Sequence, residues 1–233
     1  MKANFEIHPI QAKALRVLLF QTRAKLSELN VDKISTDKFN FHLKALISAG
    51  ILEKKANNYY LTNPGKEFAN RFDTEKIIIE RQAKLTMGIV PVKMVGKKKY
   101  YLIHQRLKQP YFGYHGTING KIRWGEKVFE AAKRELFEET GLMATKMTFV
   151  GVSHKMDLQK DGNLIDDKYF YRVRVDKFSG VLKENVPEGK NFWLTQSEIK
   201  KLPNLFPDML DLLKIYNQNK VVFVEKEYSA EGF

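Results

Sequence analysis

The sequence predicts an α+β protein with two domains in 233 residues. In the N-terminal third, short helices are followed by a β-hairpin and a last helix, whereas from residue 84 onward β-rich runs alternate with two amphipathic helices. The length is sufficient for two domains of ordinary size. We therefore divide the chain into a first domain at 1–73, a connector at 74–83 and a second domain at 84–233.

Apolar periodicity and turn residues define the elements of the first domain. Gly50 suits the end of a helix, and Pro64 suits the first turn of one. In chain order, the predicted elements are helices at 9–20, 26–30 and 36–49, strands at 51–55 and 58–62, and a helix that begins at Pro64.

The second domain reads as strands interrupted by two helices. A hairpin is predicted around the turn at Gly96 because β-rich runs lie on both sides of it. The predicted strands are 83–95, 99–107, 145–153, 168–175 and 190–194, and the predicted helices are 129–140 and 206–217.

The segment 120–142 carries the strongest pattern, GKIRWGEKVFEAAKRELFEETGL, which fits G-x5-E-x7-R-E-U-x-E-E-x-G-U with U an aliphatic residue. Its helix formers and Gly141 predict a helix on which Glu135, Glu138 and Glu139 lie along one side. Like charges at this spacing repel unless a cation neutralises them, and carboxylate oxygens suit Mg²⁺ or Mn²⁺. Taken alone, the E-x-x-E-E run would be explained better by a solvated acidic helix face, and it is the whole pattern that favours a cation site.

This segment matches the Nudix box at every fixed position, so the second domain resembles the Nudix hydrolases. The resemblance implies an α/β/α sandwich with a mixed sheet, in which the box holds divalent cations against a diphosphate. Carried over to this sequence, the metal ligands are the side chains of Glu135, Glu138 and Glu139 and the carbonyl of Gly120, while Arg134 and Glu126 orient the carboxylates.

The implied reaction is hydrolysis of a nucleoside diphosphate linked to another group. The general base varies in this family, and Glu138, Glu139 and a later carboxylate, Glu188, are the candidates. Asn119 stands where a glycine often precedes Gly120, which leaves the loop geometry open.

Basic and aromatic residues near the box are candidates for substrate contacts. Arg106, Lys121 and Arg123, with the nearby Lys108, could hold phosphates, although ordinary surface charge explains them equally well. An aromatic group could stack on a nucleobase or simply pack in the core or a lid. This group comprises Tyr111, Phe112, Tyr114, His115 and Trp124.

The first domain resembles a winged helix-turn-helix. ISTDKFNFHLKALISAGILEK looks like the recognition helix and following strand of ArsR-like and MarR-like regulators, and YYLTNPGKEFA looks like their wing return. The resemblance implies DNA contacts from the outward side chains of the third helix and from the wing. These candidates are Thr36, Lys38, Asn40, Lys44, Lys54 and Lys55. Phe39, Leu43, Leu46 and Ile47 are expected in the core, and the outward Phe41 favours a protein contact instead.

The composition limits the classes of partner. With 40 Lys and Arg against 27 Asp and Glu, the net charge of +13 favours anionic partners such as nucleotides or nucleic acid. The absence of cysteine excludes disulfides, a thiol nucleophile and a cysteine zinc site. No apolar run has membrane length, so we expect a cytoplasmic protein without a membrane partner. A homodimer is an open alternative.

Two functional hypotheses follow. The first is a metal-dependent Nudix hydrolase with a DNA- or protein-binding winged helix, and the second is a transcriptional regulator whose Nudix domain senses a nucleotide metabolite. Nudix-related regulators often have an eroded box and usually carry the winged helix after the Nudix domain. Here the box is intact and the order is reversed, which favours the enzyme.

Overall fold

The computed structural model describes residues 7–73, 78–79 and 81–230. The chain forms two compact units, Met1–Arg81 and Gln82–Phe233. Of the predicted connector, residues 74–77 and 80 lie outside the described residues. The longest helices in the described ranges have 13 residues, and none combines the length and the apolar character needed to span a bilayer.

The first unit consists of short helices and a small antiparallel sheet. Its sheet has the strand order β1-β3-β2, and β4 pairs separately with β5. The elements are α1 (Pro9–Leu19), β1 (Ala24–Lys25), α2 (Leu26–Leu29), α3 (Thr36–Ser48), β2 (Leu52–Lys55), β3 (Asn58–Leu61), α4 (Asn63–Ala69), β4 (Phe72–Asp73) and β5 (Ile78–Ile79).

Local capping explains where the first and last helices of this unit begin. The His8 ring accepts a hydrogen bond from the Ile10 amide at the start of α1, and the Thr62 hydroxyl accepts one of 2.9 Å from the Gly65 amide in α4. A Cβ at Gly65 would lie 1.9 Å from the carbonyl oxygen of Ile51, so α4 packs directly on the backbone there. Glycine is the residue that allows this approach.

The core face of α3 differs from the prediction at one position. Phe39, Leu43 and Leu46 are buried as expected, but Ile47 is 36% exposed and His42 is only 7% exposed. His42 follows Phe39 by three residues, which places it on the inner stripe, and its ring packs against the ring of His8 at 4.4 Å. Ile47 lies at the edge of that stripe.

The second unit is built on one large sheet with helices on both sides. In chain order its elements are β6 (Lys84–Val95), β7 (Lys98–Arg106), β8 (His115–Gly116), β9 (Ile118–Lys121), α5 (Val128–Thr140), β10 (Met143–Leu158), β11 (Leu164–Ser179), β12 (Asn185–Val186), β13 (Gly189–Thr195), α6 (Gln196–Ile199), α7 (Met209–Tyr216) and β14 (Val222–Ser229).

This sheet is mixed, as predicted. Its strand order is β12-β13-β7-β6-β11-β10-β14, with β8 on β7 and β9 on β6. The β6–β11 and β10–β14 pairs are parallel, and the other named pairs are antiparallel. Strand β14 was not predicted, and it extends the sheet beyond β10.

Alternate residues of the central strands enter two separate cores. Ile89 and Leu102 pack with α5, whereas their neighbours Val90 and Ile103 pack with α6 and α7 on the other face. Since successive side chains of a strand point to opposite faces, both faces of the sheet are covered by helices. The α/β/α sandwich follows from this pattern.

A buried arginine lies on the α7 face of the sheet. Arg172 is 1% exposed and donates to the Ser153 hydroxyl at 2.8 Å and to the Asp208 carboxylate at 3.3 Å. A Cβ at Gly88 would lie 2.3 Å from a guanidinium nitrogen and 2.9 Å from Cδ of Arg172. The strand β6 therefore needs glycine at position 88 to leave room for Arg172.

We predict that Gly88→Ala destabilises the protein by roughly 2–4 kcal/mol, because displacing Arg172 breaks a buried ion pair. The free energy of unfolding of each variant is measured by urea denaturation. Gly162→Ala is the control, since a Cβ there meets nothing within 4 Å and the cost is limited to the positive φ of 82°, about 1 kcal/mol. Equal losses in the two variants would contradict the steric argument.

Candidate active site

The box folds as a loop, the helix α5 and a tight helix end. Gly141 adopts the left-handed conformation, with φ of 71°, and its amide donates to the carbonyl of Phe137. Ala131, Ala132 and Leu136 are buried against the sheet. The docked face of the helix is thus fixed, and the acidic residues lie beside it.

Arg134 is the centre of the hydrogen-bonding network of the box. Its Nε and Nη2 donate to the two oxygens of Glu126 at 2.7 and 2.8 Å, in a bidentate pair. Its Nη1 donates to Glu135 at 2.6 Å and to Glu138 at 3.0 Å, and Nη2 also donates to the carbonyl of Lys121 at 3.0 Å. One guanidinium therefore connects the loop before the helix with two of the helix carboxylates.

The loop carboxylate Glu126 is held in its ionised form. The hydrogen bonds from Arg134 come first among the causes, followed by the amide of Arg123 at 2.9 Å, and together they lower the pKa of Glu126 to about 2. Arg134 in turn has its pKa raised by Glu126 and Glu135. Both groups of this pair stay charged at neutral pH.

Gly120 lies directly against the carboxyl group of Glu135. A Cβ at position 120 would be 1.8 Å from the carboxyl carbon of Glu135, so no side chain fits. Strand β9 holds Gly120 opposite Met87 of β6. Asn119 does not disturb this arrangement, because its side chain turns back onto Thr117, accepting from the hydroxyl at 2.8 Å and donating to the carbonyl at 3.0 Å.

Glu139 lies at the end of α5, where the charge of Glu188 acts on it. Burial, then the charges of Glu188 and Glu138, raise the pKa of Glu139. Burial also raises the pKa of Glu135. Glu188 forms an ion pair of 2.6 Å with Lys108. Nearby carboxylates with raised pKa values mark a place where a cation would be favourable.

The cations predicted to bind phosphate have different surroundings. Arg106 and Lys108 lie near enough to Glu139 to oppose the rise in its pKa. Arg106 also donates to the carbonyls of Pro110 and Gln109 at 2.7 and 3.0 Å, so it holds the following loop in place. Arg123 reaches Glu138 at 3.4 Å.

Lys121 contributes its carbonyl to Arg134, and its side chain is exposed. The structure thus brings Arg106, Lys108 and Arg123 to the acidic residues, whereas the side chain of Lys121 points to solvent.

Most of the aromatic group serves packing. Tyr111, Tyr114 and Phe206 form a cluster with ring centroids 5.1–5.4 Å apart, and the buried His115 ring contacts the carbonyl of Pro203 at 2.9 Å. The side chains of Phe112 and Trp124 remain exposed. Trp124 is 88% exposed, so it is the better placed of the two to meet a ligand from solvent.

Two residues beside the site were not identified from the sequence. Asn191 is 2% exposed, and its side chain contacts both the end of α5 and the ring of His104. Burial is the main cause that lowers the pKa of His104, so its ring is neutral at physiological pH. A polar residue at an inward position of a strand was the available signal in both segments, YLIHQR and KNFWL.

The residues present fit a divalent cation, although the described part of the chain contains no cluster of three or more His, Asp or Glu side chains already arranged as a metal site. In this structure Arg134 forms ion pairs with both Glu135 and Glu138. The half-buried Glu139 and the Glu135 carboxyl packed on Gly120 supply the hard oxygen donors that Mg²⁺ and Mn²⁺ prefer.

Comparison with known proteins agrees with this geometry. The family model described as NUDIX domain matches residues 84–214, more than half of the chain. The ADP-ribose pyrophosphatase of Methanocaldococcus jannaschii is 25% identical over 154 residues, which are 65% of this chain and 86% of that protein.

Two solved structures share the fold. The mutator MutT protein of Bacillus halodurans has a TM-score of 0.54 at 19% identity, and covers 64% of this chain and 93% of its own. The NUDIX domain of Shewanella oneidensis NrtR, solved with ADP-ribose, has a TM-score of 0.52 at 16% identity, and covers 66% and 96%. Because the box, the mixed sheet and the family match agree, the chain belongs to the Nudix family and is a Nudix pyrophosphohydrolase.

Proposed function

We propose that this chain hydrolyses the diphosphate bond of a nucleoside diphosphate derivative with the help of Mg²⁺ or Mn²⁺. The observation that supports this most directly is the acidic cluster of the box, in which Arg134 holds the carboxylates of Glu126, Glu135 and Glu138 together, and the basic Arg123 reaches Glu138 at 3.4 Å. Carboxylates suit the cation and the basic side chains suit the phosphates. Both are needed where a polyphosphate is cleaved.

The proposed ligands of the cation are the carboxylates of Glu135, Glu138 and Glu139 and the carbonyl of Gly120. When bound, such a cation offsets the charge of the phosphate oxygens and lowers the pKa of water. Arg134 and Glu126 orient the acidic side chains through the bidentate pair of 2.7 and 2.8 Å. Arg106, Lys108 and Arg123 bind the phosphates, while Lys121 contributes mainly through its backbone.

Glu139 is our candidate for the general base. Glu138 is engaged by Arg134 and Arg123, and Glu188 is engaged by Lys108. Among the residues that the structure describes, Glu139 has no ion pair with a basic side chain within 4.0 Å, and burial raises its pKa, which suits a proton acceptor. Glu138 and Glu188 are then the second and third choices.

ADP-ribose is the substrate that we propose first. The M. jannaschii relative at 25% identity is named an ADP-ribose pyrophosphatase, and 86% of its length aligns with this chain. The exposed Trp124 provides an aromatic ring near the box for a nucleobase.

We predict that Glu139→Gln lowers kcat for ADP-ribose by about 10³-fold or more, because it removes a carboxylate that acts on both the water and the cation. Product release is measured in Mg²⁺, in Mn²⁺ and with a chelator, alongside nucleoside triphosphates and nucleotide sugars. Glu130→Gln, an exposed acidic residue on the first turn of the same helix, is the matched control and should retain wild-type activity. Full activity of Glu139→Gln would refute this site.

We further propose that the division 1–73, 74–83 and 84–233 separates a winged helix-turn-helix from the catalytic domain. The order of three helices, a hairpin and a helix in the first unit supports it. Thr36, Lys38 and Lys44 have exposed side chains on α3, and Asn40 is half-buried. On the hairpin, Lys54 and Lys55 are exposed and lie over the rings of Tyr59 and Tyr60.

This surface favours a second function, regulation of transcription by a nucleotide metabolite. The basic residues of α3 and the wing would contact DNA, and a homodimer would present two such helices to a palindromic site. Phe41, which is 70% exposed, favours a protein contact in place of DNA.

We predict that selection from genomic fragments at moderate salt enriches one discrete site. Replacing Lys38 and Lys44 by Ala should weaken binding to that site and reduce the slope of log K against log salt by about 0.9 for each phosphate that a lysine no longer neutralises. Lys97→Ala, at the hairpin turn of the second unit, is the control. Uniform binding to all fragments, or no effect of the double substitution, would count against the regulator.

A further inference from the structure

The buried side chain of Asn191 joins three segments of the second unit. Its Nδ2 donates to the carbonyls of Glu139 and Lys183, both at 2.8 Å, and its Oδ1 contacts Nδ1 of His104 at 2.9 Å. From these contacts we propose that Asn191 and His104 are positioning residues that set the separation of Glu139 and Glu188. This inference rests on the catalytic role proposed above for Glu139.

The carbonyls of Glu139 and Lys183 determine which nitrogen of the His104 ring carries a proton. Because only the amide nitrogen of Asn191 can donate to Glu139 and Lys183, its oxygen must face His104. The contact of 2.9 Å then requires a proton on Nδ1 of His104. All the hydrogen-bonding groups of the Asn191 side chain are used, so its orientation admits no second arrangement.

The end of α5 depends on this side chain. The last four carbonyls of a helix lack partners within it, and here the carbonyl of Glu139 is satisfied by Asn191 and that of Thr140 by the amide of Lys183. Strand β13 and the segment before it therefore fix the position of the final turn of α5, which carries Glu139.

The same strand carries the other carboxylate. Asn191 pairs with His104 across β13 and β7, and Glu188 immediately precedes Gly189 at the start of β13. A Cβ at Gly189 would lie 2.2 Å from Nε2 of His104, so the ring fills the space beside that backbone. The carbonyl of Glu188 also accepts from the amide of Leu107 at 2.8 Å.

The His104 ring and the Asn191 amide thus form a continuous connection from the main chain of Glu139 to the main chain next to Glu188. No part of it needs to touch substrate. Its effect is to fix the main chain that carries Glu139 relative to the main chain that carries Glu188.

The test compares Asn191→Ala with wild type, using kcat, KM, the affinity for Mn²⁺ measured by water proton relaxation, and the melting temperature. We expect kcat and Mn²⁺ affinity to fall by roughly 10- to 100-fold, with KM for ADP-ribose changed by less than about 3-fold. Asn217→Ala is the control, because that side chain accepts from Lys99 and Tyr101 elsewhere in the same unit. Asn217→Ala should change neither kcat nor the affinity for Mn²⁺.

If Asn191→Ala does not fold, two variants of His104 test the proposal instead. The amide nitrogen introduced by His104→Asn can stand where Nδ1 stands, so this variant should retain activity, whereas His104→Leu should lose it. Folded Asn191→Ala with wild-type kcat and Mn²⁺ affinity, or equal activities of the two His104 variants, would overturn the proposal.

Glu139→Gln separates this proposal from the function on which it rests. If Glu139→Gln weakens Mn²⁺ binding and Asn191→Ala does not, the positioning role is wrong and the site stands. If Glu139→Gln binds Mn²⁺ and turns over like wild type, the proposed site itself is wrong.

Discussion

The acidic cluster of the box depends first on the guanidinium of Arg134. This one group donates to Glu126, Glu135 and Glu138 and to the backbone of Lys121. The carboxylates of Glu126, Glu135 and Glu138 would repel one another if they stood alone. The positive charge of Arg134 offsets this repulsion, and its hydrogen bonds hold each carboxylate in a defined position. The loop before α5 and the helix are therefore held in register by electrostatics as well as by apolar packing.

The sheet beneath this cluster is packed on both faces. Alternate residues of β6 and β7 pack toward the α5 face and the α7 face, so these strands are supported from both sides. The acidic residues of α5 and the polar residues of β7 and β13 meet at one end of these strands.

The sequence predicted the box, its helix and the longer strands other than β14 because these signals are local. Periodicity, Gly141 and the hairpin turn each act within a few residues. By contrast, the partnership of His104 with Asn191 joins residues 87 positions apart, and no local pattern reports it. The burial of His42 in place of Ile47 also involves a distant ring, that of His8 just before α1. Strand β14 needed β10 as a parallel partner, which only the fold supplies.

Position 120 combines two requirements that differ in kind. The family resemblance assigns an oxygen of Gly120 to a cation, and any amino acid has that oxygen. The structure adds that the carboxyl group of Glu135 occupies the volume in which a side chain would stand. The residue type at 120 is thus dictated by excluded volume, while its contribution to chemistry would come from the peptide group alone. A substitution there would be expected to act through a displaced carboxylate even though every backbone oxygen remained in the chain.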